Sequence, residues 1–358
     1  LDRAVEALPS SAAVADRQLR GEPLTRAELG VLLAYAKLTL FDDVVKSGLP
    51  DDPHFEADLF AYFPAKMAKK YAGEIRGHRL RREIVATQLA NDAVNRGGPS
   101  FISRMQDLTG HPAAEAVAAY AIVRDGFELP ALYAQIDALD ARIDGDAQLE
   151  LYQSVGRLVH AATAWLLKND DNAAPLGGRI AALREARRAL EGSVAAMLPA
   201  FVAARLEERR RELVGLGAPE ALAGRIAFLW VAESIPDIAR IAAETGGDLV
   251  RAARAFMAVT EAFRVSRIGE AARALSPTDY YDGLALSRAL ETIGAARRGI
   301  AVAALAGHAA ADDPVAAWLE AGGTRVARTR ERLQALTEGG DLTVSRLTVA
   351  SGLMTDLS

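Results

Sequence analysis

The residues in this 358-residue sequence whose types could do chemistry are five histidines, several adjacent aspartates, a glycine pair and one polar stripe. A helical zinc site wants two histidines three to five positions apart, so that both imidazoles leave one face. His54, His78, His111, His160 and His308 include no such pair. Helical terpenoid synthases hold magnesium with Asp-Asp-x-x-Asp and Asn-Asp-x-x-Ser-x-x-x-Glu. Here Asp42-Asp43 is followed by Lys46, Asp170-Asp171 by Ala174, and Asn91-Asp92 by Pro99 where the glutamate belongs. A dinucleotide fingerprint needs three glycines between a strand and a helix. Gly215-Leu216-Gly217-Ala218-Pro219-Glu220 lacks the third and follows a charged helical run, so it reads as a helix–helix connection. No Walker phosphate loop and no Gly-x-Ser-x-Gly turn occurs.

The polar stripe lies in His78–Arg96. Glu83, Thr87, Asn91 and Asn95 follow one another at intervals of four, which places them up one side of a helix. The apolar residues of the same segment (Leu80, Ile84, Val85, Leu89, Ala90, Ala93, Val94) surround most of its axis, leaving a narrow polar sector at Arg81, Gln88, Asp92 and Asn95. Such a helix is expected at the centre of the fold. A buried polar group without a partner costs roughly 1–3 kcal/mol, so the ladder is expected to be a satisfied network or a docking surface. Glu83 has no nucleophile or second base beside it in the pattern, and no catalytic, cofactor-binding or metal residue is assigned.

The elements that would position these groups are helices. Alanine and leucine dominate an apolar content of 51%, aromatics make up only 6%, and both leading residues lose little side-chain freedom in a helix. Thr25-Arg26-Ala27-Glu28 has the form of a capping box. Asp51-Asp52-Pro53, Asp312-Asp313-Pro314 and Ser276-Pro277 set a cap before a proline. Gly97-Gly98, Gly110 and Gly246-Gly247 read as helix stops, and Pro199 as a kink or break. Leu149, Tyr152, Val155, Val159, Ala162 and Leu166 are expected to line one side of a long helix, and the one doubtful strand is at Leu342-Thr343-Val344. The fold class expected is all-α, a multi-helix bundle in two packed lobes with little or no β-sheet. The polar and glycine-rich segment Asn169–Gly178 separates residues 1–170 from 176–358, either as two domains or as one continuous bundle.

A net charge of −5 and a pI near 5.7 point away from nucleic acid and anionic membranes. The densest arginine run, Glu207-Glu208-Arg209-Arg210-Arg211-Glu212, alternates with acids as a solvated face does. With no cysteine, thiolate metal sites, disulfides and thiol nucleophiles are excluded. Apolar runs such as Ile226–Ala232 fall far short of the ~20 residues that span a bilayer, and the sequence opens in mid-pattern without a signal sequence. A cytoplasmic fragment of a longer polypeptide is the expectation.

Leu24-Thr-Arg-Ala-Glu-Leu-Gly-Val-Leu-Leu-Ala-Tyr-Ala-Lys-Leu-Thr-Leu-Phe41 and His78-Arg-Leu-Arg-Arg-Glu-Ile-Val-Ala-Thr-Gln-Leu-Ala-Asn-Asp-Ala-Val-Asn-Arg96 resemble signatures of the large bacterial NAD-specific glutamate dehydrogenases. Leu49–Pro53, Tyr62-Phe63-Pro64 and Trp165–Asn169 stand in the matching order, so the resemblance is carried over residues 1–170. It implies the helical C-terminal region of that family, with the catalytic domain upstream as partner. NAD would be the cofactor of the full protein, with none in this fragment, and a homo-oligomer would be its assembled form. The role implied is to buttress the catalytic domain or shape oligomer interfaces. An independent helical module that binds a protein or an effector is the alternative.

Overall fold

In the computed structural model, which describes residues 8–170, 173–193, 198–277, 279–338 and 342–358, helices follow one another throughout and no strand occurs among the described residues. Local chemistry sets most of their ends. Thr25 and Glu28 form the reciprocal capping box that opens helix Arg26–Lys46. Asp52 caps the short turn Pro53–Phe55, and Asp313 caps Pro314–Ala321. Gly98 and Gly110, both at positive φ, stop Arg81–Gly97 and Phe101–Thr109, as glycine does without steric cost. Two expectations are corrected. The helix after Ser276-Pro277 begins at Tyr280, because the side chain of Asp279 accepts the Asp282 N–H. Leu342–Val344 is no strand, because Thr343 accepts the Arg346 N–H and opens helix Val344–Thr355.

The chain divides into two compact units, Leu1–Arg184 and Glu185–Ser358, with the division inside helix Leu176–Gly192. Asp171 and Asn172 of the polar segment lie outside the described residues.

In the first unit, helix Arg81–Gly97 packs on Arg26–Lys46, Glu56–Ala61 and Ala113–Gly126 and buries Ile84, Val85, Ala86, Leu89, Ala90, Ala93 and Val94. Leu80 stands outside this core, 48% exposed, because it is the cap residue and not part of the helix. Helix Gly145–Asn169 closes the unit. Its buried face runs through Leu151, Val155, Leu158, Val159, Ala162 and Leu166, and Leu149 points to solvent. At 100° per residue Leu149 sits well round the axis from that stripe, so the expected face was rotated at its first turn.

In the second unit the long helix Tyr280–Gly307 is the axis. Helices Ile235–Glu244, Leu249–Ala262, Pro314–Ala321 and Val344–Thr355 pack on it. Small side chains permit the close approach: Ala289, Ala296, Ala301 and Ala304 are buried along the long helix. Gly215–Glu220 is the expected connection, joining Ala200–Gly215 to Glu220–Ala232. The Glu207–Glu212 run carries the expected ladder of ion pairs, including Arg210–Glu207 at 2.6 Å and Arg209–Glu212 at 3.0 Å.

If the central helix organises the first unit, Leu89→Ala, at a fully buried position, is expected to cost about 2–5 kcal/mol, whereas Leu38→Ala, 60% exposed, should stay within about 0.5 kcal/mol. Urea unfolding of both variants checks this; equal losses would mean that the central helix does not hold that place.

Candidate buried charge cluster

The apolar helix Ala113–Gly126 ends in two charged residues, Arg124 and Asp125. Arg124 is 7% exposed. Helical spacing drives its guanidinium inward, on the same face as Tyr120. Four hydrogen bonds meet it there. Nη1 and Nη2 donate to the two carboxylate oxygens of Asp58 at 2.6 and 3.0 Å, and Nε and Nη2 donate to those of Asp125, both at 2.8 Å. Both carboxylates are thus held in the two-pronged geometry that matches the planar donor fork. Asp92, from the central helix, stands 3.6 Å from Nη1 and accepts the Tyr120 hydroxyl at 2.8 Å. His54 Nε2 completes the cluster at 2.7 Å from Asp125 Oδ2.

Burial would lower the arginine's pKa, but the Asp125 and Asp58 bonds outweigh it and hold the group firmly protonated. Burial likewise pushes the Asp125 carboxyl up, yet Arg124 and His54 together bring it below the ordinary carboxylate range. The Tyr120 hydroxyl is pushed far above its usual value, first by burial and then by the Asp92 charge, so it stays a hydrogen-bond donor. Beside the cluster, Arg184 donates to the Asp125 carbonyl at 3.0 Å. That carbonyl lies at the C-terminal end of its helix, where a cation is favoured.

The polar ladder expected from sequence is not such a network. Glu83, Thr87 and Asn91 are half-buried and Asn95 is exposed. Thr87 Oγ1 donates to the Glu83 carbonyl of its own helix at 2.7 Å, and among the described residues no side-chain bond joins the four. The helix turns Asp92, from the sector read as purely polar, toward the buried arginine, and the ladder faces partly outward. Of the histidines, only His54 reaches the cluster. His160 Nε2 lies 3.1 Å from the Gly97 carbonyl and edge-on to Phe101, its pKa lowered by burial. His111 pairs with Glu115 at 2.6 Å. Sequence reading missed Asp58, Arg124 and Asp125. The available signal was an Arg-Asp pair directly after the run Ala116–Val123, which holds no charged residue, a placement that forces a charge toward the core.

Chemically, the arrangement holds charge and fixes three chain segments. Among the described residues no group of three or more His, Asp or Glu is placed to hold a metal ion, and the converging aspartates are directed at a guanidinium.

Residues 21–356 match the family described as Glutamate dehydrogenase, C-terminal. The chain belongs to that family. The match runs well past the motifs of the first 170 residues, into the second unit. An NAD-specific glutamate dehydrogenase of Pseudomonas aeruginosa is 35% identical over 369 residues, taking in 100% of this chain and 22% of the relative. One from Mycobacterium tuberculosis is 29% identical over 354 residues, with 98% and 22% covered. One from Halomonas elongata is 36% identical over 233 residues, with 63% and 14% covered. The chain therefore spans about a fifth of the length of the first of these relatives. In this member of the C-terminal family the quoted motifs fall on the helices that build the first unit: Leu24–Phe41 on the capped helix and His78–Arg96 on the central one.

Removing one partner of a buried, paired charge leaves the other uncompensated, at about 3–5 kcal/mol. Arg124→Leu is therefore expected to lose stability on that scale at neutral pH. The Asp125 pKa is depressed on folding, so its contribution is full above the unfolded carboxylate value and fades as pH falls through the folded one. Urea unfolding at neutral and acid pH should show Asp125→Asn less stable than the parent at neutral pH, with the gap narrowing in acid. A gap independent of pH would remove the carboxylate from this role.

Proposed function

We propose that the chain is the helical C-terminal part of an NAD-dependent glutamate dehydrogenase, and that it buttresses the catalytic domain or shapes contacts between subunits without doing chemistry itself. The observation that carries this reading is the family match over residues 21–356, together with relatives named NAD-specific glutamate dehydrogenase of which this chain spans 22% of the length. In such a polypeptide the upstream domain oxidises L-glutamate to 2-oxoglutarate and ammonium, and the hydride passes to NAD. The cofactor belongs to that upstream domain, and none is assigned to residues 1–358.

The physical character of the chain suits a structural role. The densely bonded buried polar cluster of the first unit spends nearly all its donors internally, as a brace does and as a substrate site does not. Among the described residues no helix is long and apolar enough to cross a membrane, and a cytoplasmic location goes with the reading.

The test compares the full-length polypeptide with a version ending just before residue 1, recording glutamate-dependent NADH formation and molar mass for both. Loss of activity or of assembly on truncation, with the catalytic part still folded by circular dichroism, is the expected result. A truncated enzyme that works and assembles normally would instead assign the chain to an independent protein- or effector-binding role.

A further inference from the structure

Helix Arg26–Lys46 carries an apolar stripe along its whole length: Leu29, Leu32, Leu33, Ala36, Leu40 and Val44, at spacings of three and four. The stripe is covered at only one end. Leu40 and Val44 are buried, at 4% and 0% exposure, while Leu29 is 41% exposed and Leu32 and Leu33 are half-buried. The antiparallel central helix explains the difference. At its start, Arg82 donates to the Val45 and Ser47 carbonyls at 2.8 and 2.9 Å. At its end, Val94 faces Leu32, Tyr35 and Ala36 across a groove of about 420 Å³. The capped helix overhangs its partner, and the overhang is the bare part of the stripe. Ile102 and Gln106 form the far wall of the groove. Asp43 also borders it, and neither the Asp43 carboxylate nor the Gln106 amide has a hydrogen-bond partner among the described residues.

We propose that this overhang and groove are the docking site for the part of the same polypeptide that precedes residue 1, an inference that rests on the dehydrogenase reading above. Two observations select this occupant. The chain matches the C-terminal family and spans only 22% of the Pseudomonas aeruginosa relative, so most of such a polypeptide lies upstream. The first described helix also lies beside the start of this site. Helix Ser11–Leu19 is tied to the start of the capped helix by Arg17, which donates to Glu28 at 2.8 and 3.2 Å and to the Pro23 carbonyl at 2.5 Å. A body on the same polypeptide meets its site intramolecularly, at an effective concentration that a free partner lacks. A stripe that would bind a free partner weakly is then occupied by the tethered one.

The chemistry of the occupant follows from the walls. It presents apolar side chains to Leu29, Leu32 and Ala36, a lysine or arginine to Asp43, and a backbone or side-chain polar group to Gln106. At the N-terminal end of the site the Arg17 bond and the Thr25 N–H hold the Glu28 carboxyl at about 2, so its charge is already matched.

Site-specific photo-crosslinking in the full-length polypeptide tests the proposal. Benzoylphenylalanine replaces Leu29 or Leu32 in the stripe, or Leu38 as the control, 60% exposed and about half a turn round the same helix. The expected result is cross-linking from the stripe to peptides upstream of residue 1, within one polypeptide, about tenfold or more above the control, as a tethered partner would give. Mixed isotopically labelled subunits tell links within a polypeptide from links between copies. Links only to a second copy, only to peptides within residues 1–358, or in equal yield from Leu38 overturn it. Hydrogen exchange guards against a folding artefact: in the full-length protein without benzoylphenylalanine, Leu32→Asp should speed exchange across residues 28–36 while residues 84–94 of the central helix keep their protection. Unchanged exchange at 28–36 counts against docking. The outcome is separable from the function test. Upstream cross-links in an enzyme whose truncated form works normally sustain the docking site and sink the buttressing role; a truncation-sensitive enzyme without such links does the reverse.

Discussion

The first unit depends on the cost of burying one guanidinium. An arginine removed from water forfeits several kcal/mol of hydration, and Arg124 recovers this only because four of its five N–H groups meet carboxylates in forked geometry. The partners come from three places: Asp58 from the short helix Glu56–Ala61, Asp92 from the central helix, and Asp125 from its own. Sliding the central helix by one residue would turn Asp92 about 100° away and leave the Tyr120 hydroxyl without its acceptor. A purely apolar contact would tolerate such a slip, since a row of alanines and leucines presents nearly the same surface one step on. The cluster therefore specifies the register of these helices more than it adds to their stability.

The second unit meets the same problem with the opposite excess. Buried Asp237 faces two arginines on the long helix, Arg298 at 2.7 Å and Arg297 at 3.4 Å. Arg297 also lies over the Phe256 ring, its Cζ 3.9 Å from the centroid, where the π face offsets part of the second positive charge. Burial lowers the Arg297 pKa even so, with Asp237 pulling it back. In both units alanine-rich helices approach closely, and a few ionic contacts give each interface one distinct arrangement. That division of labour follows from a composition poor in aromatic rings, whose shapes would otherwise make a core specific.

How much of this was legible follows from the range of each interaction. Helix ends were largely readable, because the Thr25–Glu28 box, the Asp52 and Asp313 caps and the Gly98 and Gly110 stops act within a few residues of themselves. Ser276-Pro277 misled because a better cap, Asp279, stands three residues on, and its advantage is visible only once its bond to the Asp282 N–H is seen. The central helix was readable from its apolar arc. The charge cluster was not: Asp58 and Arg124 are 66 positions apart, Asp92 and Tyr120 are 28 apart, and no local pattern links them. The ladder of Glu83, Thr87, Asn91 and Asn95 shares one side of its helix, but among the described residues no side-chain bond joins the four. Periodicity places residues on a common side of a helix, but the neighbours decide which side is buried.

Family membership and local physics place emphasis on different parts of the first unit. The motif Leu24–Phe41 that carries the family resemblance falls on the helix whose N-terminal half is least covered, a poor place for residues chosen only to fill a core. An apolar stripe left bare costs solubility unless something lies on it, and it is useful for docking only if the helix beneath is held still, since a mobile surface would have to be ordered at the moment of contact. Here the helix is held at both ends. The capping box and Arg17 fix its start, and Arg82 holds the carbonyls at its finish. Arg82 belongs to the central helix, whose Asp92 enters the Arg124 cluster three turns further on. Buried charge that fixes the central helix thus also fixes the largely apolar groove that Val94, two residues beyond Asp92, helps to line, the order of cause that a rigid docking platform requires.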